Sequence, residues 1–105
     1  MERKILNFSK TNHALLRQWE RKIDDRILFL SLRYIDIVPE TKTIFIVKQS
    51  KIIEWVQKKL YDNFSINKDL HIVIDKATIV SCYYTDNSDK VISYSKSGSK
   101  FLILK

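Results

Sequence analysis

Four residue types are nearly missing from this 105-residue chain, which holds one glycine, one proline, one cysteine and one methionine. A lone cysteine, Cys82, leaves no internal disulfide to form and points to a reducing compartment, so the cytoplasm is expected. One proline and one glycine exclude long flexible linkers and low-complexity tails. A single glycine also cannot supply a phosphate-cradling Walker loop or a dinucleotide fingerprint. Residues 1–10 carry basic side chains with no apolar stretch behind them, so no secretory leader is read there. The longest apolar run, residues 27–32, is broken by Ser31 and falls far short of a membrane span. Acidic residues are outnumbered, 12 against 19 lysines and arginines, for a formal charge of +7.

What remains is ordinary for one soluble domain. Hydrophobic residues make up 45% and charged residues 30%. A chain of this length can bury a core without disulfides or metals, by a thin margin. The basic excess favours nucleic acid, acidic protein surfaces or anionic lipid as partners. It is equally what an A/T-rich genome would encode, with no partner implied.

The chain reads in order as follows. Residues 1–10 suggest an edge strand or an arm. Thr11 and Asn12 are helix-capping types, and Leu15, Leu16, Trp19 and Ile23 recur at helical spacing. Asp24-Asp25 interrupts that pattern and is suited to capping a second helix, though one long helix is also compatible. Residues 34–38 are β-like, Pro39 to Lys42 a turn, and residues 43–47 a return strand, together a hairpin. Ser50 caps a helix to about Asn63, with Ile52, Ile53, Val56, Leu60 and Phe64 in one stripe and Trp55 and Tyr61 at its flanks. Residues 65–69 form a loop, residues 70–74 a strand and residues 78–85 another. Residues 91–95 and a buried strand at 101–104 follow, separated by the turn Lys96-Ser97-Gly98-Ser99. The expected class is α+β, a single domain. Its core, residues 12–75, is read as α-α-β-β-α-β, with a β-rich extension over residues 77–105.

No catalytic signature emerges, and no enzyme activity, cofactor or metal is expected. His13 and His71 stand in no motif with Cys82, so neither a triad nor a zinc set is indicated. Cys82 reads as a small buried hydrophobe. Asp24-Asp25 and the pair Asp86 and Asp89 are explained by a cap and a turn. Lys48, Lys51 and Lys58 flank the third helix. Lys90, Lys96 and Lys100 stand in the tail with Tyr83, Tyr84 and Tyr94. These nine are the candidate nucleic-acid residues, with tyrosines for base stacking. The same residues also serve a strand-rich segment that needs core aromatics and charged edges. The GXXG loop of KH domains is absent. Trp55 has two readings, core or half-exposed anchor. Trp19 has the same two, with core favoured because it continues a stripe to Ile23.

The run Thr43-Ile44-Phe45-Ile46-Val47, then Ile52-Ile53-Glu54-Trp55-Val56, then Tyr61 resembles the N-terminal domain of the bacterial replication initiator DnaA. The likeness covers roughly residues 12–75. The C-terminal domain of the DNA polymerase III tau subunit has a related strand–helix–strand pattern and is the weaker match. The resemblance implies a KH-like core and a non-enzymatic interaction module of DNA replication. Such a module contacts a replicative helicase or a regulator, self-associates, and touches single-stranded DNA weakly. The expected protein-binding residues are Ile52, Trp55, Lys59 and Trp19, around an apolar patch beside the third helix rimmed by lysines. The alternative is single-stranded DNA or RNA binding through the lysine- and tyrosine-containing tail.

Overall fold

The segment Thr43-Ile44-Phe45-Ile46-Val47 contains no charge and is almost wholly β-branched or aromatic, the composition of a strand covered on both faces. In a computed structural model of the chain, which describes residues 4–36, 38–63, 66–86, 88–89 and 100–104, it forms strand β3 (Thr43–Val47), and all five residues are buried. Around it stand β1 (Lys4–Ile5), β2 (Phe8–Lys10), α1 (Asn12–Glu20), α2 (Asp25–Leu32), α3 (Gln49–Gln57), β4 (Asp69–Asp75), β5 (Thr78–Thr85) and β6 (Lys100–Leu104). The six strands make one mixed sheet in the order β1-β2-β5-β4-β3-β6. β4 runs antiparallel to both β3 and β5. β2 runs parallel to β5, and β6 parallel to β3. The α+β class is the expected one. None of the helices is long and apolar enough to cross a membrane among the described residues.

Alternation assigns the two faces of the sheet. Phe45, Val47, Leu70, Ile72 and Ile74 point to the main core, where they meet Ile27, Leu28, Leu30, Ile52 and Trp55 from the helices. Ile44, Ile46 and Val73 point the other way and form a smaller cluster with Val80, Tyr83 and Phe101. β5 needs a bulge to serve the main core twice. The register slips between Val73 and Ile74, so Ser81 faces Val73 but Ile79 faces Ile74. The extra residue places Ile79 and Cys82, three apart, on one face, which simple alternation forbids.

The scarcity of glycine is felt where helices end. In α1 the Lys22 amide bonds to the Trp19 carbonyl at 3.3 Å and the Ile23 amide to Gln18 at 2.9 Å. In α3 the Lys59 amide bonds to Val56 at 3.0 Å and the Leu60 amide to Trp55 at 2.8 Å. Both are Schellman closures, whose left-handed residue is usually glycine. Here Lys22 and Lys59 take it, at φ 54° and 60°, as Leu6 and Lys76 do in strand turns. The third helix therefore stops at Gln57, well before Asn63, at a terminator with no glycine to announce it. Its start differs too. Ser50 lies inside the helix, and the first amide, Gln49, is capped by Asp69 Oδ1 from β4 at 2.8 Å. Thr11 and Asp24 do cap α1 and α2, by accepting from the Ala14 and Ile27 amides at 3.0 Å each.

Three other expectations need correction. Residues 34–38 do not form a hairpin with β3. Both sides of β3 are taken by β4 and β6, and the apolar residues Ile35 and Val38 pack against the main core from a connector instead; Ile37 is outside the described residues. The observed order of elements is thus not the α-α-β-β-α-β expected of a KH-like core. The segment from Ala77, expected as an extension, supplies β5 in the interior of the sheet. β6 is an edge strand with Leu102 and Ile103 exposed, not a buried one. The strand expected at 91–95, the turn at 96–99 and Phe64 lie outside the described residues.

Two measurements check this account. Lys59→Gly should raise stability by up to about 1 kcal/mol, because an L-residue in the left-handed region costs roughly that much. Lys59→Val should lower it, both read from urea midpoints. Trp55→Ala should cost about 3–5 kcal/mol, the range for emptying a large buried aromatic site, and lower the melting temperature accordingly.

Candidate interaction surface on the first helix

Two places on the molecule gather polar or exposed chemistry. One is buried. His71 lies on β4 with no exposure and hydrogen-bonds through Nε2 to Ser88 Oγ at 2.8 Å and through Nδ1 to the Tyr83 hydroxyl at 3.2 Å. The Ser88 hydroxyl donates to Asp69 Oδ2 at 2.5 Å. Asp69 also receives the Lys48 ammonium at 3.1 Å, besides capping α3. Donors and acceptors run one way along this chain: Tyr83 O–H to Nδ1, Nε2–H to Ser88, Ser88 O–H to Asp69. A hydrolytic triad needs the histidine to accept the serine proton. Here the serine proton is already given to the aspartate, and the hydroxyl is buried. The arrangement holds structure together and does not activate a nucleophile.

Its electrostatics agree. Burial pushes the His71 imidazole below its ordinary pKa, against the upward pull of Asp69, and the Lys48 charge adds to the lowering. Burial alone would raise the Asp69 carboxyl, but the bonds from Ser88, Gln49 and Lys48 outweigh it and hold the group low. Cys82 is buried and its thiol is pushed up to about 11 by desolvation, so it stays protonated and a poor nucleophile. Among the described residues no three His, Cys, Asp or Glu side chains are grouped to hold a metal.

The second place is exposed. α1 packs on β5 and is tied to it by Arg21, whose guanidinium donates to the Cys82 carbonyl at 2.7 Å. Only Ala14 within the helix is fully buried. Leu15 and Leu16 precede Trp19 by four and three residues and therefore neighbour it on the helix surface. Trp19 is 79% exposed and Leu16 49%. The Schellman turn folds Ile23 back beneath them. Together they line an open groove of about 1070 Å³ between α1 and the start of α2.

An ion pair lines the groove. Lys10, whose side chain is almost wholly buried, pairs with Asp25 at 2.6 Å, and Gln18 donates to the same carboxylate oxygen at 2.6 Å. The Lys10 bond is the main cause holding the Asp25 carboxyl below its usual range. Asp24 accepts from the Tyr61 hydroxyl at 2.8 Å, which fastens the α1–α2 corner to the chain beyond α3.

Of the four expected protein-binding residues, Trp19 and Lys59 reach solvent and two do not. Ile52 and Trp55 are each 1% exposed. They lie three apart on the face of α3 that meets the sheet, and the Tyr34 ring closes over Trp55 at a centroid distance of 6.3 Å. The Trp55 indole N–H makes no hydrogen bond. It falls short of bonding geometry to Tyr34 but is close enough to be the main cause lowering that phenol's pKa. Lys59 lies at the end of α3, on the rim of a smaller cavity of about 480 Å³ with Ile53, Val56 and Gln57. It lines a different cavity from Trp19.

The described members of the nucleic-acid set are dispersed. Lys48 is paired with Asp69, while Lys51 and Lys58 share Glu54 at 3.2 and 3.5 Å. Adjacent on one strand, Tyr83 and Tyr84 face opposite sides of the sheet, Tyr84 against the main core and Tyr83 against the smaller cluster. They form no common stacking platform. Lys100 is exposed at the sheet edge. Lys90, Tyr94 and Lys96 lie outside the described residues. Sequence reasoning missed Lys10 and Asp25 as groove residues. A lysine in a short N-terminal strand carries no local sign that the first residue of a helix fifteen positions later will neutralise it. It also missed Tyr34, flanked by the Arg33 and Lys51 cations at 5.3 and 5.8 Å.

Compared with known proteins, the chain matches no family model, no curated protein and no solved structure.

The buried chain through His71 has a pH consequence. The unfolded imidazole binds a proton below about pH 6.5, whereas the folded one resists it. Below that pH the unfolded state therefore holds more protons, and stability falls as pH drops until the folded pKa is reached. Urea midpoints should decline from pH 7.5 to pH 5.5. His71→Gln should lower the midpoint at pH 7.5 and flatten that slope.

Proposed function

We propose that this chain is a non-enzymatic protein-interaction module that binds a partner protein through the α1 groove, with Trp19 as the anchor. The observation that carries the reading is the 79% exposure of Trp19 beside exposed Leu16, in a groove lined by the Lys10–Asp25 pair. Large aromatics left open on a small domain are unfavourable in water, and tryptophan is the residue most often found at binding hot spots.

The resemblance to the replication initiator's N-terminal domain adds a setting. A replicative helicase or a regulator of replication in the cytoplasm is the proposed partner, with self-association through the same face as the competing occupant. The strand–helix–strand unit that carries the resemblance, β3-α3-β4, supports it. In this chain the residues of that unit, Ile52 and Trp55, hold the fold, and the binding role moves to the first helix.

The test uses the purified replicative helicase of the same source, titrated against wild type and Trp19→Ala. The variant should keep its melting temperature and lose at least about 2 kcal/mol of binding, roughly thirtyfold in Kd. Unchanged affinity would remove the proposal. A mixed single-stranded oligonucleotide at two ionic strengths is the parallel arm. Tight, steeply salt-dependent binding there would favour the nucleic-acid alternative.

A further inference from the structure

A second surface lies at the far edge of the sheet, three strands from β5, where α1 sits. β6 pairs with β3 on one side, in unbroken parallel register from Thr43↔Lys100 to Val47↔Leu104. Two bonds fix the phase of that ladder: the Lys100 amide donates to the Lys42 carbonyl at 3.2 Å, and the Lys48 amide to the Leu104 carbonyl at 2.9 Å. In a parallel pair, alternate residues turn both backbone groups to the partner. Lys100, Leu102 and Leu104 therefore face β3. The N–H and C=O of Phe101 and Ile103 face outward, and no described strand pairs with them.

Among the described residues this edge lacks the usual protections. It has no proline and no bulge, and the only charge within it is Lys100. At the opposite edge, β1 is two residues long. Leu102 and Ile103, on opposite faces of the strand, are 43% and 48% exposed. An added strand would satisfy the outward amides and cover both side chains at once, as in recognition by strand addition.

Charge selects the occupant. Lys42 and Lys100 are exposed at one end of β6, on a chain of net charge +7, while Lys48 at the other end is already paired with Asp69. A second copy laid parallel on the edge would bring the two Lys42 and Lys100 ends together, which like-charge repulsion opposes, and one laid antiparallel would set them against an end whose carboxylate is already paired. We infer that β6 accepts an extended apolar segment of a partner protein, with acidic residues flanking it where it meets Lys42 and Lys100. This inference does not depend on the α1 reading.

The probe is a synthetic peptide of alternating valine and threonine with two glutamates at each end, titrated into the ¹⁵N-labelled chain. Its counterpart carries lysines in place of glutamates. The glutamate peptide should shift the Phe101 and Ile103 amides and bind about tenfold or more tightly than the lysine peptide. Ile103→Pro deletes an outward donor and leaves the β3 ladder intact, so it should keep the fold and abolish the titration. If proline disturbs the strand, Ile103→Asp, which removes apolar area and repels the glutamates, should weaken binding by about tenfold. Absence of binding by the glutamate peptide, equal binding of both peptides, or concentration-dependent dimerisation of the chain through this edge would overturn the inference.

Discussion

Much of this structure hangs on one carboxylate. Asp69 opens β4, and its two oxygens reach three other parts of the chain: the first amide of α3, the Lys48 ammonium before it, and the Ser88 hydroxyl beyond β5. A helix start leaves amide donors without partners, and α3 has no side chain of its own at the cap. The remote carboxylate meets that need and sets where α3 begins relative to the sheet. Ser88 passes the constraint to His71, and His71 to Tyr83. The three donors that meet Asp69 hold it in its charged form against the cost of its partial burial.

The orientation of α3 decides which tryptophan meets water. With Gln49 held at Asp69, Ile52 and Trp55 turn onto the sheet, and Tyr34 covers the indole from outside. Trp55 is thereby spent on stability. α1 is held differently, through Thr11 at its start, Ala14 on its buried side and the Arg21 bond to β5. That attachment leaves Leu16 and Trp19 facing outward. The groove beneath them is lined by Ile23 from the core, by the Lys10–Asp25 ion pair and by Asp24, which caps α2.

The sequence made local features legible. Thr11 and Asp24 are capping residues next to apolar periodicity, and both cap. β3, β4 and most of β5 follow from dense β-branched runs. The end of α3 was not legible, because the signal for a Schellman closure is glycine and Lys59 stands in its place. Its cap was misassigned to Ser50, since Asp69 lies twenty residues away and only the sheet brings it near. The hairpin at residues 34–38 had the right composition for a strand, but β3 had two better partners, one of them more than fifty residues distant. The candidate site failed in the same way. Trp19 continues the apolar stripe of its helix and Trp55 stands at the flank of its own, yet Trp55 is the buried one, because the packing of each helix on the sheet decides which residues face inward.

The most direct test of that partition is the fluorescence of Trp19→Phe, in which Trp55 is the sole tryptophan. A core Trp55 should emit at short wavelength and resist acrylamide, in contrast to the red-shifted, readily quenched wild type. Red-shifted, quenchable emission from the folded variant would place Trp55 in water and contradict the account.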